Sequence, residues 1–164
     1  MVIRRVVVMG VAGTGKTTVG RRLASLLDAR FVDADDVHPP ANVEKMASGI
    51  PLTDADRAPW LGRLRRELAG AGSTVVTCSS LKRRYRDVLR AAGDVTFVFL
   101  EIDRDAVSER VAGRDGHFMK AGMVASQFAD LEPPQADEHD IVVLDAERSI
   151  ADVVDAAFDV VIGA

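Results

Sequence analysis

The sequence of 164 residues is poor in cysteine and in aromatic side chains. Its single cysteine, Cys78, cannot form an internal disulfide, which argues against a secreted disulfide scaffold. Aromatic residues make up only 5% of the chain, so the core must be built mainly from Val, Leu, Ala and Ile. The longest early apolar run, residues 6–9, is too short to cross a bilayer or to form a signal peptide. These features predict a cytoplasmic protein with no membrane segment.

The composition fits one compact domain over residues 1–164, with 48% hydrophobic and 28% charged residues. The formal net charge is −4, but it is unevenly distributed. Residues 57–90 carry nine basic and two acidic groups, whereas residues 91–164 carry five basic and sixteen acidic groups. A basic segment in an acidic chain can concentrate small anions. Since only Trp60 and Tyr85 are aromatic in that segment, nucleic acid is not the expected partner.

Apolar patterns separated by turn residues predict alternating strands and helices. Strands are predicted at residues 2–9, 74–78, 95–102 and 141–144, with a further short strand that begins at residue 31. Helices are predicted at residues 17–27, 39–46, 54–69, 105–114 and 150–158, with a further helix that ends at about residue 92. Thr53 is predicted to cap the third helix and Ser79 or Ser80 the fourth, while Pro59 is expected to separate or kink the first turn of the third helix. The alternation predicts an α/β fold whose five-stranded parallel sheet is covered on both faces. Ligands bind such sheets at the carboxyl ends of the strands.

A glycine-rich motif follows the first predicted strand and opens the first predicted helix. It fits the pattern G-x-x-x-x-G-K-[ST] at every fixed position and consists of Gly10, Val11, Ala12, Gly13, Thr14, Gly15, Lys16 and Thr17. Glycines let backbone N–H groups surround phosphate oxygens, and the helix N-terminus adds partial positive charge. Lys16 is predicted to reach the β- and γ-phosphates of ATP, the Thr17 hydroxyl to ligate Mg²⁺, and Thr18 to continue the ATP site.

Two classes of nucleotide-binding protein are excluded by the rest of the sequence. The elements D-x-x-G and N/T-K-x-D, which a GTPase needs, are both absent. The last strand ends in Asp145, but Ala146 separates it from Glu147, unlike the Asp-Glu pair of ATPase motors. The class that remains is the small-molecule kinases.

Further motifs carry a resemblance to a known family. Residues 31–39 read FVDADDVHP, residues 42–52 read NVEKMASGIPL, and residues 78–82 read CSSLK. With Asp54, Asp56, Trp60 and the segment LEPP at 131–134, they resemble the bacterial-type gluconokinases, which are similar in fold to shikimate and adenylate kinases. One departure is Ser80, where that family commonly has alanine.

The resemblance implies a three-layer P-loop kinase sandwich with an acceptor-binding segment at about 36–70 and a small lid at about 115–134. It also implies phosphorylation of D-gluconate by ATP with Mg²⁺, and a homodimer. Two alternatives stay open: a kinase of another small hydroxy acid or sugar acid, such as a shikimate-like one, or a non-enzymatic nucleotide-dependent module that uses the basic helix at 82–90.

The carboxylate pair after the second strand suits one metal-associated group and one group that contacts an acceptor hydroxyl. We assign Asp33 to the Mg²⁺ shell and Asp35 to the attacking hydroxyl as candidate base. A hydroxylated acid needs cations for its carboxylate and hydrogen bonds for its hydroxyls. The candidate acceptor contacts are His38, Lys45, Arg57, Lys82, Tyr85 and Arg86, together with His117 and Gln127 from the lid. By resemblance to adenylate-kinase-like folds, Arg110 and Arg114 are expected to contact ATP.

Overall fold

The computed structural model describes residues 2–112 and 117–163, with side chains described outside residues 117–121. Within these ranges five parallel strands form one sheet in the order β2-β3-β1-β4-β5. The strands are β1 (Arg5–Met9), β2 (Arg30–Asp33), β3 (Thr74–Thr77), β4 (Val95–Glu101) and β5 (Ile141–Asp145).

Seven α-helices and one short 3₁₀ turn connect these strands in the described part of the chain. The helices are α1 (Lys16–Leu26), α2 (Pro40–Ala47), α3 (Asp54–Leu68), α4 (Arg83–Arg90), α5 (Arg104–Ala112), α6 (His117–Asp130) and α7 (Ile150–Gly163). The 3₁₀ turn covers Ala34–Val37. None of the described helices combines the length and the apolar character needed to span a membrane.

β1 lies at the centre of the sheet and is covered on both faces. Val6 and Val8 pack into one core with α1, α5 and α7, whereas Val7 and Met9 pack into the other with α3 and α4. All four side chains are fully buried, which is why this run is continuously apolar rather than alternating. The chain leaves β1 between β3 and β4, so the phosphate-binding motif emerges where the sheet order reverses, the usual ligand-binding crevice of such folds.

The uneven charge of the sequence becomes a set of ion pairs along α4. Four arginines of this helix lie 2.6–2.7 Å from carboxylates that come mostly from the acidic last third of the chain. The pairs are Arg83 with Asp137, Arg84 with Asp54, Arg86 with Glu138, and Arg90 with Asp140. The four arginines of α4 are therefore largely neutralised within the fold.

Several predicted elements differ in detail from the observed ones. α3 begins at the predicted cap, where Thr53 and Asp56 form a reciprocal capping box, and it continues through Pro59 without a separate first turn. The prediction that Ser79 or Ser80 caps α4 is wrong: Ser80 adopts a left-handed φ of 49°, and the cap is Lys82. α6 lies within the region predicted as a lid, and α7 extends five residues beyond its predicted end.

Candidate active site

The phosphate loop joins β1 to α1 and depends on glycine at two positions. Gly10 has a φ of +142°, and a Cβ there would lie 2.8 Å from the carbonyl oxygen of Leu100. Gly15 has a φ of +91° and directly precedes α1. Since side-chain-bearing residues rarely adopt these angles, the backbone can form this loop only with glycine at both places. The N-terminus of a helix that follows such a loop stabilises a phosphate through its free N–H groups.

Lys16 is partly enclosed by the loop that it serves. Its Nζ donates to the carbonyl oxygen of Val11 at 2.9 Å. Burial lowers the pKa of the Lys16 ammonium to about 8, and the charges of Asp35 and Asp33 oppose this shift only in part. Lys16 is therefore a cation at neutral pH whose charge is poorly solvated, and a phosphate group can stabilise it.

Asp33 and Thr17 provide oxygen donors at the edge of the phosphate loop. The Thr17 hydroxyl lies 3.4 Å from one Asp33 carboxylate oxygen, while the other oxygen accepts from the backbone N–H of Asp35 at 3.0 Å. Mg²⁺ prefers such hard oxygen ligands, usually one or two protein groups completed by substrate phosphates and water. Among the described residues no group of three or more His, Cys, Asp or Glu side chains could hold a metal ion.

A cleft of about 860 Å³ opens beside the phosphate loop. Its walls come from the carboxyl ends of β2 and β3, the α2–α3 connection, α3, α4 and α6. The lining side chains that can bond, stack or react with a ligand include Asp35, His38, Arg57, Trp60, Cys78, Lys82, Tyr85, Gln127 and Asp130. Burial raises the pKa of the Cys78 thiol, so this side chain stays protonated and is not a nucleophile at neutral pH.

Trp60 holds His38 against one wall of the cleft. The two rings are stacked with centroids 4.2 Å apart and an interplanar angle of 14°. The indole N–H of Trp60 donates to the carbonyl oxygen of Ala34 at 2.7 Å, which ties α3 to the turn that follows β2. Burial lowers the pKa of His38, with the Arg57 charge acting in the same direction and Asp35 opposing it. The imidazole is therefore neutral at neutral pH.

Two guanidinium groups lie near the ring of Tyr85, which also lines the cleft. The Cζ atoms of Arg57 and Arg84 are 5.3 and 5.2 Å from its ring centroid, within cation–π distance. Its hydroxyl donates to the Asp54 carboxylate at 2.7 Å, and this hydrogen bond is the largest contribution to the lowered pKa of Asp54. Arg57 also donates to the carbonyl oxygen of Leu52 at 2.8 Å. The ring and its partners form a fixed cationic wall.

Helix α6 reaches both the phosphate loop and the cleft. The Gln127 side-chain oxygen accepts from the backbone N–H of Ala12 at 2.6 Å, and Gln127 also lines the cleft. Near the end of α6, Asp130 lies 3.9 Å from Lys82, which precedes α4. The helix thus connects the loop that would hold phosphate with the wall that would hold an acceptor.

Two predicted acceptor contacts lie elsewhere. Lys45 is bound to the Asp56 carboxylate at 2.8 and 2.9 Å and helps to join α2 to the start of α3, outside the cleft lining. Arg86 is fully buried and donates to Glu138 and to the carbonyl oxygens of Ser80 and Leu81. The predicted contact of Arg86 with acceptor does not agree with this geometry, because its guanidinium is committed to shaping the β3–α4 loop.

The predicted ATP contacts of the lid are only partly described. Arg110, on α5, donates to the carbonyl oxygen of Ala146 at 2.7 Å and so links α5 to the loop after β5. Arg114 lies outside the described residues, and the His117 side chain lies outside the described side chains.

Sequence reasoning missed two buried polar residues near the site. Glu138 reads as part of a polar loop, yet it is 6% exposed and pairs with Arg86 and Arg90. Asn42 is 3% exposed and contacts His38. His38 precedes α2 in an extended conformation, so its spacing of four residues from Asn42 is not a helical signal for their contact. No local pattern links Glu138 to α4, because the partners are about fifty residues apart.

The parallel sheet, the phosphate loop at its central strand and the adjoining cleft define a P-loop kinase of small molecules. The sequence matches the Shikimate kinase family over residues 12–161. It is 47% identical to the thermosensitive gluconokinase of Escherichia coli over 154 residues, which covers 91% of this chain and 82% of that protein. It is 50% identical to the gluconokinase of Gluconobacter oxydans over 142 residues, covering 82% and 79%.

A solved structure gives the same result. The gluconokinase from Sinorhizobium meliloti superimposes with a TM-score of 0.89 at 40% identity and covers 98% of this chain and 92% of that one. The chain therefore belongs to the gluconokinases, within the Shikimate kinase family of P-loop proteins.

Proposed function

We propose that this protein transfers the γ-phosphoryl group of ATP to the terminal hydroxyl of D-gluconate, giving 6-phospho-D-gluconate and ADP. The observation that carries the proposal is the cleft beside the phosphate loop, which places the Asp35 carboxylate and the cationic groups of Arg57 and Lys82 around one space. A compact sugar acid needs both kinds of group, and the named gluconokinases are similar to this chain over most of their length.

The nucleotide end supplies charge stabilisation. In the reaction a bond forms between the acceptor oxygen and the γ-phosphorus, and the bond from that phosphorus to the β–γ bridging oxygen breaks. Lys16 and the N–H groups of the loop neutralise charge on the phosphates. Thr17 and Asp33 would hold Mg²⁺, which would supply further positive charge to stabilise the transferring group. Phosphoryl transfer has a loose transition state, so positioning by these groups carries most of the catalysis.

The acceptor end orients gluconate and accounts for the proton. Asp35 accepts the hydrogen bond of the attacking hydroxyl and takes its proton as the new bond forms. Arg57 and Lys82 pair with the carboxylate of gluconate. His38, Tyr85 and Gln127 form hydrogen bonds with the hydroxyls of gluconate. Arg110 and Arg114 contact ATP from the lid side, and His117 completes the acceptor site. We also propose that the enzyme acts in the cytoplasm. We further propose that it is a homodimer, and light scattering on the purified protein tests this oligomeric state.

The direct test is ADP release with Mg·ATP across a panel of acceptors: D-gluconate, shikimate, D-glycerate, AMP, glucose and none. A rate with D-gluconate far above all other samples is expected. If only a different acid gives turnover, the protein is a kinase but gluconate is not its acceptor. Tight ATP binding without turnover on any acceptor would support a nucleotide-dependent binding module.

A matched pair of variants tests the role of Asp35. Asp35→Asn should lower kcat about 100-fold and leave ATP binding nearly unchanged, since the amide cannot accept the proton. Asp36→Asn makes the same change one residue away, at an exposed side chain outside the cleft lining, and should retain wild-type kcat. Equal kcat values for the two variants would remove Asp35 from the acceptor site.

A further inference from the structure

Asn42 is the single asparagine of the chain and is buried at the start of α2. Its side-chain nitrogen lies 2.9 Å from the carbonyl oxygen of Asp56 and 3.4 Å from Nδ1 of His38. Asn42 itself does not line the cleft, whereas His38 does. The amide therefore contacts Nδ1 of a residue that also lines the cleft.

These two contacts determine which atom of the amide faces His38. A backbone carbonyl oxygen only accepts hydrogen bonds, so the atom 2.9 Å from the Asp56 oxygen must be the NH₂ group. In the opposite orientation two oxygens would face each other at that distance without a proton between them. The NH₂ group has two hydrogens, so the second is available to Nδ1 of His38 at 3.4 Å.

The same contacts fix the protonation of the imidazole. Because the Asn42 nitrogen donates, Nδ1 of a neutral His38 must accept and carries no hydrogen, so the ring proton is on Nε2. We propose that Asn42 is a positioning residue that fixes His38 as the Nε2–H tautomer, so that His38 presents a hydrogen-bond donor to the acceptor cleft. This excludes His38 as the base that removes the hydroxyl proton.

The surroundings of His38 are consistent with this assignment. The Trp60 ring stacks on one face of the imidazole and offers no hydrogen bond in that direction. The charged groups that act on the ring are Asp35 and Arg57, both of which line the cleft. A neutral donor between a carboxylate and a guanidinium suits a hydroxyl of a polyhydroxy acid. This last step rests on the proposed function, whereas the tautomer does not.

The tautomer can be read directly by ¹⁵N NMR. In protein labelled with ¹⁵N-histidine, three imidazoles give signals, and His38→Gln identifies the one of interest. At pH 8 the wild-type protein should show an unprotonated Nδ1 and a protonated Nε2 for His38. A Nδ1–H tautomer, or an averaged mixture of the two, overturns the proposal. The measurement on the wild-type protein needs no substrate and no Asn42 variant, so it tests the tautomer even if a variant fails to fold.

Asn42→Asp tests the origin of the tautomer with a side chain of the same size, whose carboxylate also loses the hydrogen bond to the Asp56 carbonyl oxygen. The carboxylate cannot donate, so His38 should gain a proton on Nδ1 and its spectrum should change. Glu44→Gln exchanges the same groups at an exposed position of α2 and should leave the spectrum unchanged. A wild-type His38 spectrum in folded Asn42→Asp overturns the role of Asn42.

Kinetics test the consequence for the acceptor. The KM for D-gluconate should rise about tenfold in Asn42→Asp, the size of one hydrogen bond, with the KM for ATP unchanged. An unchanged KM for gluconate contradicts the donor role of His38. If wild-type protein shows the expected tautomer but does not phosphorylate gluconate, the proposed function fails and the assignment of Asn42 stands.

Discussion

The two halves of the candidate site are built in different ways. The phosphate loop is a single segment of eight residues, of which six join β1 to α1 and two begin α1, and it presents mainly backbone N–H groups to a phosphate. The acceptor cleft draws side chains from segments spread between residues 35 and 130. The first half depends on local backbone geometry, whereas the second depends on how distant elements pack. Changes in the two halves should therefore have different consequences, which mutagenesis and titration can separate.

The largest effect is expected at the phosphate loop. Lys16→Ala should lower kcat by about 1,000-fold, equivalent to about 4 kcal/mol, because the ammonium stabilises charge that develops in transfer. Steady-state kinetics and circular dichroism would show loss of activity in a folded protein. Lys82→Ala is the matched change at the acceptor wall and should raise the KM for gluconate with little change in kcat. Similar kinetic defects in both variants would contradict the division into two halves.

The next effect concerns stability. Glu138→Gln leaves the buried Arg86 guanidinium without its charge partner and should lower the free energy of unfolding by about 3 kcal/mol. Asp137→Asn breaks another arginine–carboxylate pair on the same helix, Arg83 with Asp137, but this pair is exposed and should cost less than about 1 kcal/mol. Urea unfolding of both variants gives the comparison. Equal losses would mean that burial does not set the importance of these pairs.

The same carboxylate predicts a pH dependence. Hydrogen bonds from Arg86, followed by those from Arg90, hold the pKa of Glu138 at about 2, below its ordinary value of 4.5. The stability due to this group is therefore present above pH 4.5 and is lost as the pH falls toward 2. The stability difference between wild type and Glu138→Gln should shrink over that window.

A smaller effect is expected where the two halves meet. Gln127→Met removes the hydrogen bond to Ala12 while keeping the length of the side chain. We expect kcat/KM to fall about tenfold for both ATP and gluconate, because α6 would no longer be joined to the phosphate loop. Gln135→Met changes an exposed glutamine that bonds Pro133 and should have no such effect. A loss confined to one substrate would contradict the connecting role of Gln127.

The smallest expected effect is proton uptake by Lys16 of the phosphate loop when ATP binds. Because the pKa of Lys16 is lowered to about 8, half of the ammonium groups are deprotonated at that pH, and a bound polyanion should restore their protons. ATP binding at pH 8 should then take up about half a proton, measured by calorimetry in buffers of different ionisation enthalpy. Lys16→Arg stays charged and should show no uptake from this group. Equal uptake in both proteins would assign the proton to another site.

Much of this site could be predicted from sequence because its signals are local. The phosphate loop, the central buried strand and the Asp33–Asp35 turn each need only the preferences of adjacent residues. Resemblance to a known family added the acceptor class, which composition and periodicity could not supply. The predicted cap of α4 was wrong: Ser80 has a left-handed φ of 49°, and its carbonyl oxygen accepts from the Arg86 guanidinium, an arrangement that local capping preferences do not include.

Tyr85 and Arg86 differ in a way that local sequence does not distinguish. They are consecutive polar residues of α4, and the sequence predicts equally for both that they contact the acceptor substrate. Packing directs Tyr85 to the cleft, where Asp54 holds its hydroxyl, and encloses Arg86 against Glu138 from a distant segment. The strand–loop–helix that can bind phosphate is specified by the sequence alone, because hydrogen bonds and φ preferences act between near neighbours. Which charged side chains stay available to a ligand depends on burial and on distant partners, and only the folded chain establishes both.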